Sequence, residues 1–558
     1  MKEVIAVGID SGSTYAAQIC YQMGVSSAVV ENMIAALKVG IRVFFSNDIL
    51  NNVLDVSSEE RVAVITHHGA LGSRSPEQEN LKSRSYYFSL NEKCPYSSHH
   101  FYANLPVFHI KTESFGCCYD RDNKKIPNSG IGIIQMDNLL IVSLPWDICS
   151  YEQGHKWEHR PYFSQSEKRH FVEVGPMLDT SAFRTLMLEI LLHCFNWVGL
   201  PLVRVSPFYN NKRYFSFRID ADGFSESSTK AGLRIAEKSG LQFSWFLDMG
   251  RWKNKNEWVV RLLKAKQDIQ LHCFRHMTYA SHEVNYINIR KGLNEMRKCG
   301  ITPSAIVSPM GFNYRGFSEA IRRLRFAYSS EFGYAVDDLP SQPFNDKFYP
   351  LQIPVHPGCS GVFLQAGFSQ QEQFNHYYNT VKNRCDTDGF CIFYDHPIGG
   401  LETYEEQYID LFAQLKKNSY KYISMLDYYR AWICRSHNPT IIYSNGIIEI
   451  QGFQENGFRL EQIVNGLCDS VRLGDEVLPQ VNFQGGGDHF CYPPEWVRNL
   501  TYQNGMLNLK QRNFIKIQWY MNEFLLTFGT RIGYFKCRRL LSRVAWLRTL
   551  RDRILNAI

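Results

Sequence analysis

Between Tyr214 and Met425 short apolar runs alternate with amphipathic stretches, and that alternation leaves few folds open. Residues 214–222 have period two. Phe215, Phe217, Ile219 and Ala221 fall on one side, and Ser216, Arg218, Asp220 and Asp222 on the other. Such a strand takes covering helices on its apolar side and turns its polar side inward, so both carboxylates point the same way at its C-terminal end. Gly223 lets the chain turn, and a helix begins in the serine cluster at 225–228 and stops at Gly240. The pattern repeats. Strands are expected at 242–247, 269–272, 304–307, 327–332, 351–355, 390–394 and 420–425. Helices are expected at 257–266, 281–299, 317–324, 370–384 and 403–415. Alternation of this kind indicates a parallel sheet, open or closed into a barrel. Asp220, Asp222, His272, His356 and His396 all sit just past a strand's C-terminal end. In a (β/α) barrel that rim is where chemistry is built. One Asp and two His from this set, around a divalent cation with a position left for water, make a hydrolytic site.

Three segments resemble motifs of the polysaccharide deacetylase (NodB-homology) family, also called carbohydrate esterase family four. They are Asp220-Ala221-Asp222-Gly223, His272-Cys273-Phe274-Arg275-His276, and Phe393-Tyr394-Asp395-His396. The resemblance covers about residues 210–432 and implies a distorted (β/α) barrel of seven or eight strands. By resemblance, Asp222, His272 and His276 bind the metal, with zinc the default for that ligand set. Asp220 is then the general base and His396 the general acid. Pro309, Met310 and Gly311 would offer a backbone N–H to the oxyanion, and His356 would line the rim. The implied reaction is hydrolysis of an N-acetyl amide on a sugar or glycan precursor. Two alternatives stand beside it: hydrolysis of a C–N bond in a non-sugar metabolite, and a glycan-binding or scaffolding barrel without turnover. The sequence departs from the family in its third motif, Arg-X-Pro-Tyr, which here is Val307-Ser308-Pro309-Met310. Arg218 or Arg315 would have to replace the missing arginine. Cys273 replaces a hydroxyl residue of the second motif. The carboxylate that tunes the acid histidine has Glu331, Asp337 and Asp338 as candidates.

The remaining sequence reads as accessory structure. Residues 1–200 are expected to be an α/β domain, with strands at 61–66, 132–135 and 142–143. An apolar helix at 187–198 would dock this domain on the barrel. Leu144-Pro145-Trp146-Asp147-Ile148 resembles a segment found in N-terminal domains that precede some deacetylases. Val7-Gly8-Ile9-Asp10-Ser11-Gly12-Ser13-Thr14 resembles the phosphate loop of actin-like kinases. However, residues 15–38 read as helix where a second strand should follow, and a helix start capped by Ser11 or Ser13 is the simpler reading. The barrel would occupy 210–435, and 438–510 would form a small β-rich unit with Asn445-Gly446 as a hairpin turn. The last segment, 511–558, reads as a basic amphipathic helical tail. Residues 531–558 hold eight Lys/Arg and one acid, Asp552, a net +7 that equals the formal charge of the whole chain. Such a helix suits a membrane surface or an acidic partner. No nucleic-acid partner is expected. The 15 cysteines lack pairing spacing and Met1 to Gly12 lacks a secretory pattern. Both point to the cytoplasm, peripherally at the inner membrane face if the tail engages lipid.

Overall fold

The computed structural model describes residues 2–483, apart from positions 12, 32, 47–59, 72–82, 85–86, 90–99, 110–113, 121–123, 149–150, 155, 165, 344–347, 437 and 466–467. The expected basic tail, and 484–510 of the expected β-rich unit, lie outside the described residues.

The protein is a mixed α/β structure whose largest sheet is a parallel half-barrel of eight strands. Along it run Leu351–Gln352, Tyr328–Ser329, Ala305–Ile306, Asp268–Leu271, Ser244–Leu247, Tyr214–Ala221 and Phe390–Asp395. Lys421–Tyr422 pairs with the start of Tyr214–Ala221. Among the described residues the two ends are joined by no ladder, but the His356 N–H donates to Ile392 O at 2.8 Å and draws the exit of Leu351–Gln352 toward Phe390–Asp395. Tyr214–Ala221 is central because both of its sides are buried, the apolar one under helices and the polar one inside the half-barrel.

Local sequence explains the helix ends. Ser225 accepts from the Ser228 N–H at 3.4 Å and starts Glu226–Ser239, and Gly240, at φ 62°, ends it. Ser369 and Glu372 form a reciprocal capping box at the start of Gln370–Asp388. Expected strands contract to two residues each: 304–307 to Ala305–Ile306, 327–332 to Tyr328–Ser329, and 351–355 to Leu351–Gln352. The strand expected at 420–425 ends at Tyr422, because Ser424 caps a further helix, Met425–Ile433, by accepting from the Asp427 N–H at 3.1 Å.

The N-terminal sheet has seven strands in the order Ser114–Phe115, Ile131–Met136, Leu139–Leu144, Val62–His67, Val43–Phe45, Val7–Asp10 and Ser27–Val30. The single helix expected over 15–38 is corrected to two, Thr14–Met23 and Met33–Lys38, with the strand Ser27–Val30 between them. Gly24 breaks the run by taking a left-handed conformation at φ 71°. Ser13 stands at the first helix's N-cap without a side-chain capping bond.

Helix Thr180–Trp197 is buried along nearly all of its length and ties this sheet to the half-barrel. In its first turn Arg184 donates to Asp338 at 2.8 Å and to Asp388 at 2.7 Å, both on the barrel side. The C-terminal strands are shared rather than separate. Glu3–Val4 pairs antiparallel with Ile442 and Tyr443, and Leu202–Val205 with Leu460–Ile463. A two-stranded ribbon, Trp157–Ser164 with Arg169–Pro176, leaves the N-terminal part and lies against the barrel rim. There Trp157 stacks on Phe312 with ring centres 4.2 Å apart, and Phe171 meets Phe363 at 5.0 Å. Among the described residues no helix is long and apolar enough to cross a membrane.

Candidate active site at the mouth of the half-barrel

Each of the motif residues leaves the sheet at the same rim. The Tyr214–Ala221 strand delivers Asp220 on its inner side and Asp222 just past its end. Asp268–Leu271 delivers His272, and the next four residues form an irregular loop that returns His276 to the same place. That loop is stapled by Asn288 of the following helix. The Asn288 carbonyl oxygen accepts the Arg275 N–H at 3.0 Å, and its amide donates to Arg275 O at 3.2 Å and Met277 O at 3.1 Å. Cys273, buried and at φ 62°, makes the bend.

His272 Nε2 lies 3.0 Å from Asp222 Oδ1, and His276 Nε2 lies 3.1 Å from Asp222 Oδ2. One donor atom from each of these three residues falls within 4.8 Å of the others. His272 Nδ1 is 3.0 Å from Val307 O. A carbonyl only accepts, so that nitrogen carries the proton and Nε2 keeps its lone pair for the site. Asp222 Oδ1 is buried and has no aligned hydrogen bond despite the nearby ring, the environment of an oxygen whose partner is a cation. Donor types, spacing and tautomer therefore all fit a divalent ion. Burial pushes the Asp222 carboxyl up, but His272, His276 and His396 outweigh it and hold the group well below the usual carboxylate range.

Asp220 is placed differently. Its Oδ2 accepts from Arg218 Nη2 at 2.6 Å, while its Oδ1 is buried without a partner. Arg218 is itself fixed by Ser330, through the carbonyl at 2.8 Å and the hydroxyl at 3.1 Å, and lies over the Tyr394 ring at 4.9 Å. Of the two arginines weighed as substitutes in the third motif, Arg218 meets Asp220, whereas Arg315 is exposed at a helix start.

His396 Nε2 is 3.4 Å from Asp222 Oδ2, which puts the fourth motif residue at the same centre. The carboxylate beside its Nδ1 is Asp395, at 3.7 Å. Asp395 is anchored by the Ser360 hydroxyl at 2.8 Å and by the Tyr408 hydroxyl. None of the three expected tuning carboxylates takes this place. Asp337 binds His356, Asp338 binds Arg184, and Glu331 accepts from the Ser308 N–H at 3.1 Å and the Ser329 hydroxyl at 2.8 Å. Burial lowers the His396 pKa, but Asp395 and Cys359 outweigh it and hold the ring well above the usual histidine value.

One expectation needs correction. His356 does not line the rim. It is buried, 2.8 Å from Asp337 Oδ2 and 2.9 Å from His376 Nε2, and it packs under Phe171. Within the segment expected to serve the oxyanion, the Gly311 N–H donates to Ser308 O at 3.2 Å. Pro309 lies nearby, its carbonyl accepting from the Thr278 hydroxyl at 3.2 Å, and Met310 sits half exposed at φ 60°.

Several residues at the mouth were not anticipated. Asp395 was visible as the neighbour of His396, but which flanking acid turns toward the ring depends on a helix packed behind it. Glu173 comes from the ribbon and feels the charge of His396; its pKa is pushed up to about 7 by burial. No local pattern marks it. Arg251 and Lys255 line a cavity of about 780 Å³ with Asp220, Asp222 and His396.

No family model and no curated protein matches the chain. Solved structures do match. A peptidoglycan deacetylase from Bacillus subtilis is 13% identical over 40% of this chain and 93% of its own, with a TM-score of 0.27. A family 4 acetyl xylan esterase from Clostridium thermocellum, in complex with a cobalt ion, is 12% identical over 39% of this chain and 91% of its own, with a TM-score of 0.30. A carbohydrate esterase family four pseudoenzyme is 11% identical over 50% of this chain and 93% of its own, with a TM-score of 0.29. The chain is similar, over about two-fifths of its length, to polysaccharide deacetylases of carbohydrate esterase family four.

Proposed function

We propose that this protein hydrolyses an N-acetyl amide on a sugar or glycan precursor with the help of a divalent cation, zinc by default, held by Asp222, His272 and His276. The observation that carries the reading is the meeting of three separate strand ends. Asp222, His272, His276 and His396 come together around one centre, and Asp220 is clamped beside them with one oxygen left without a partner. The cation would supply Lewis acidity and lower the pKa of water at the centre.

The chain's own groups divide the remaining work. Arg218 holds Asp220 Oδ2 and leaves Oδ1, beside the cavity, as the general base. An amine departs poorly unless protonated, so a separate acid is needed. His396, backed by Asp395, stands 3.4 Å from Asp222 Oδ2 and can carry that proton. The arginine missing from the third motif was the reason to consider a barrel without turnover. Arg218 supplies the same charge from the neighbouring strand position, which favours catalysis. A stage of surface-polysaccharide assembly on the cytoplasmic side is the setting we favour; the eleven free thiols among the described residues suit a reducing compartment.

Asp220→Asn tests the assignment. Acetate release from N-acetylated sugars should fall by about 10²–10⁴-fold, while metal measured by elemental analysis of the purified protein stays at the wild-type level. Loss of the metal instead would mean that the two aspartates exchange roles.

A further inference from the structure

The rim beside the candidate metal centre is strongly cationic, and none of that charge is needed to cleave an amide. Arg251, Lys253 and Lys255 fall within five residues after the Ser244–Leu247 strand, Arg251 in the short helix Met249–Trp252 and the two lysines just past it. This segment is built against the centre. The buried Trp252 indole N–H donates to Ala221 O and Gly223 O, each at 3.2 Å, on either side of Asp222. Lys255 rests its ammonium 4.8 Å from the centre of the Phe224 ring. Arg251 and Lys255 line the cavity that holds Asp220, Asp222 and His396. Arg251 continues into an adjoining cavity of about 360 Å³, where it joins Arg275 and His276. Lys291 lies 4.1 Å over the Phe274 ring, and burial together with the charges of Arg275 and Lys253 holds its pKa below the ordinary lysine value.

Three acids of this rim have partners of their own, and Asp222 belongs to the candidate metal centre. Asp220 is bound to Arg218, Glu226 to Lys230 at 2.7 Å, and Asp248 accepts the Gly250 N–H at 2.9 Å. A neutral sugar chain would offer these cations hydroxyl acceptors but no charge to pair with. One carboxylate would satisfy a single fork, whereas a phosphate ester presents several acceptor oxygens and up to two charges to Arg251 and Lys255 together. Resting on the deacetylase reading above, we propose that Arg251 and Lys255 form a phosphate-recognition subsite and that the N-acyl sugar is bound as a phosphate or diphosphate ester. Nucleotide-linked and lipid-linked sugars share this chemistry.

The test compares the full chain, loaded with metal, on N-acetylglucosamine 1-phosphate and on methyl N-acetylglucosaminide. The phosphate ester should show a kcat/KM at least about tenfold higher, as expected of charge-assisted bonds. The double variant Arg251→Gln/Lys255→Gln should bring the ratio of the two toward one, and raised salt should narrow it. A Lys417→Gln control, an exposed change on a distant helix, should leave the ratio as it is. Equal kcat/KM for both probes in the wild type overturns the inference and leaves the deacetylase reading intact. If no acetate appears from either probe, that reading fails, and calorimetric titration with the same two probes decides the subsite alone. Phosphate-dependent binding that the double variant loses supports it, and equal binding sinks it. Uridine-diphosphate- and prenyl-diphosphate-linked N-acetylglucosamine then distinguish a nucleotide carrier from a lipid carrier by their relative kcat/KM.

Discussion

Arg218 and Asp220 are a buried charged pair two residues apart on one strand face, and each is expensive without the other. Arg218→Met would leave the Asp220 charge buried and unpaired, which should cost about 3–5 kcal/mol of stability in urea titrations. The double variant Arg218→Met/Asp220→Asn should recover much of that loss without recovering acetate release. Glu331 offers a separate, pH-dependent handle. Burial pushes its pKa up from 4.5 to about 7, so folding favours the protonated form. The stability it contributes is full below its unfolded value near 4.5 and is lost as pH rises through 7, a change on the order of 3 kcal/mol. Glu331→Gln should therefore flatten the wild-type fall in Tm between pH 5 and pH 8; an unchanged slope would remove Glu331 as its source. The inward set Arg218, Asp220 and Asp222 was legible from period two alone, because a strand leaves a side chain only two directions. Asp395 was not, since its role depends on Tyr408 and Ser360 arriving from other segments.

At the scale of elements, the decisive piece is irregular. The loop from His272 to His276 has no repeating hydrogen bonds of its own, and Asn288 supplies them from the next helix. Asn288→Leu should weaken metal affinity by about 10–100-fold, read by competition with a chelator. Far-UV circular dichroism should stay unchanged, because helix His282–Lys298 is held by its own apolar side. The ends of regular elements were the readable part. Ser225 and Gly240 bracket a helix, and Gly389 stops the one that Ser369 starts. The ladder stops at Gln352 although the apolar Ile353 and Val355 continue into buried loop, and at Ser329 although Ser330, Glu331 and Phe332 beyond it are buried. The ribbon Trp157–Pro176 went unread. Its polar and apolar residues follow the rim it leans on rather than a clean alternation, and Glu173 reaches His396 only through that docking.

The whole molecule is interlaced. Arg184 of the N-terminal part neutralises both Asp338 and Asp388 of the barrel. Gln18 donates to Tyr334 at 3.0 Å, and Arg435 donates to Val205 O at 2.6 Å. Expressing 210–435 alone would strip these partners at once. The fragment should elute as aggregate in size-exclusion chromatography, while the same barrel within the full chain remains monodisperse. The sequence pattern divided the chain where its periodicity changes, at about 200 and 438, but pairing between distant strands leaves no trace in local composition. The Glu3–Val4 strand has a further consequence. Its partner at Ile442 and Tyr443 is translated roughly 20–90 s later at ordinary rates of synthesis. The Glu3–Val4 edge must therefore wait on the ribosome, guarded or frayed, until the strand Thr440–Ser444 has emerged.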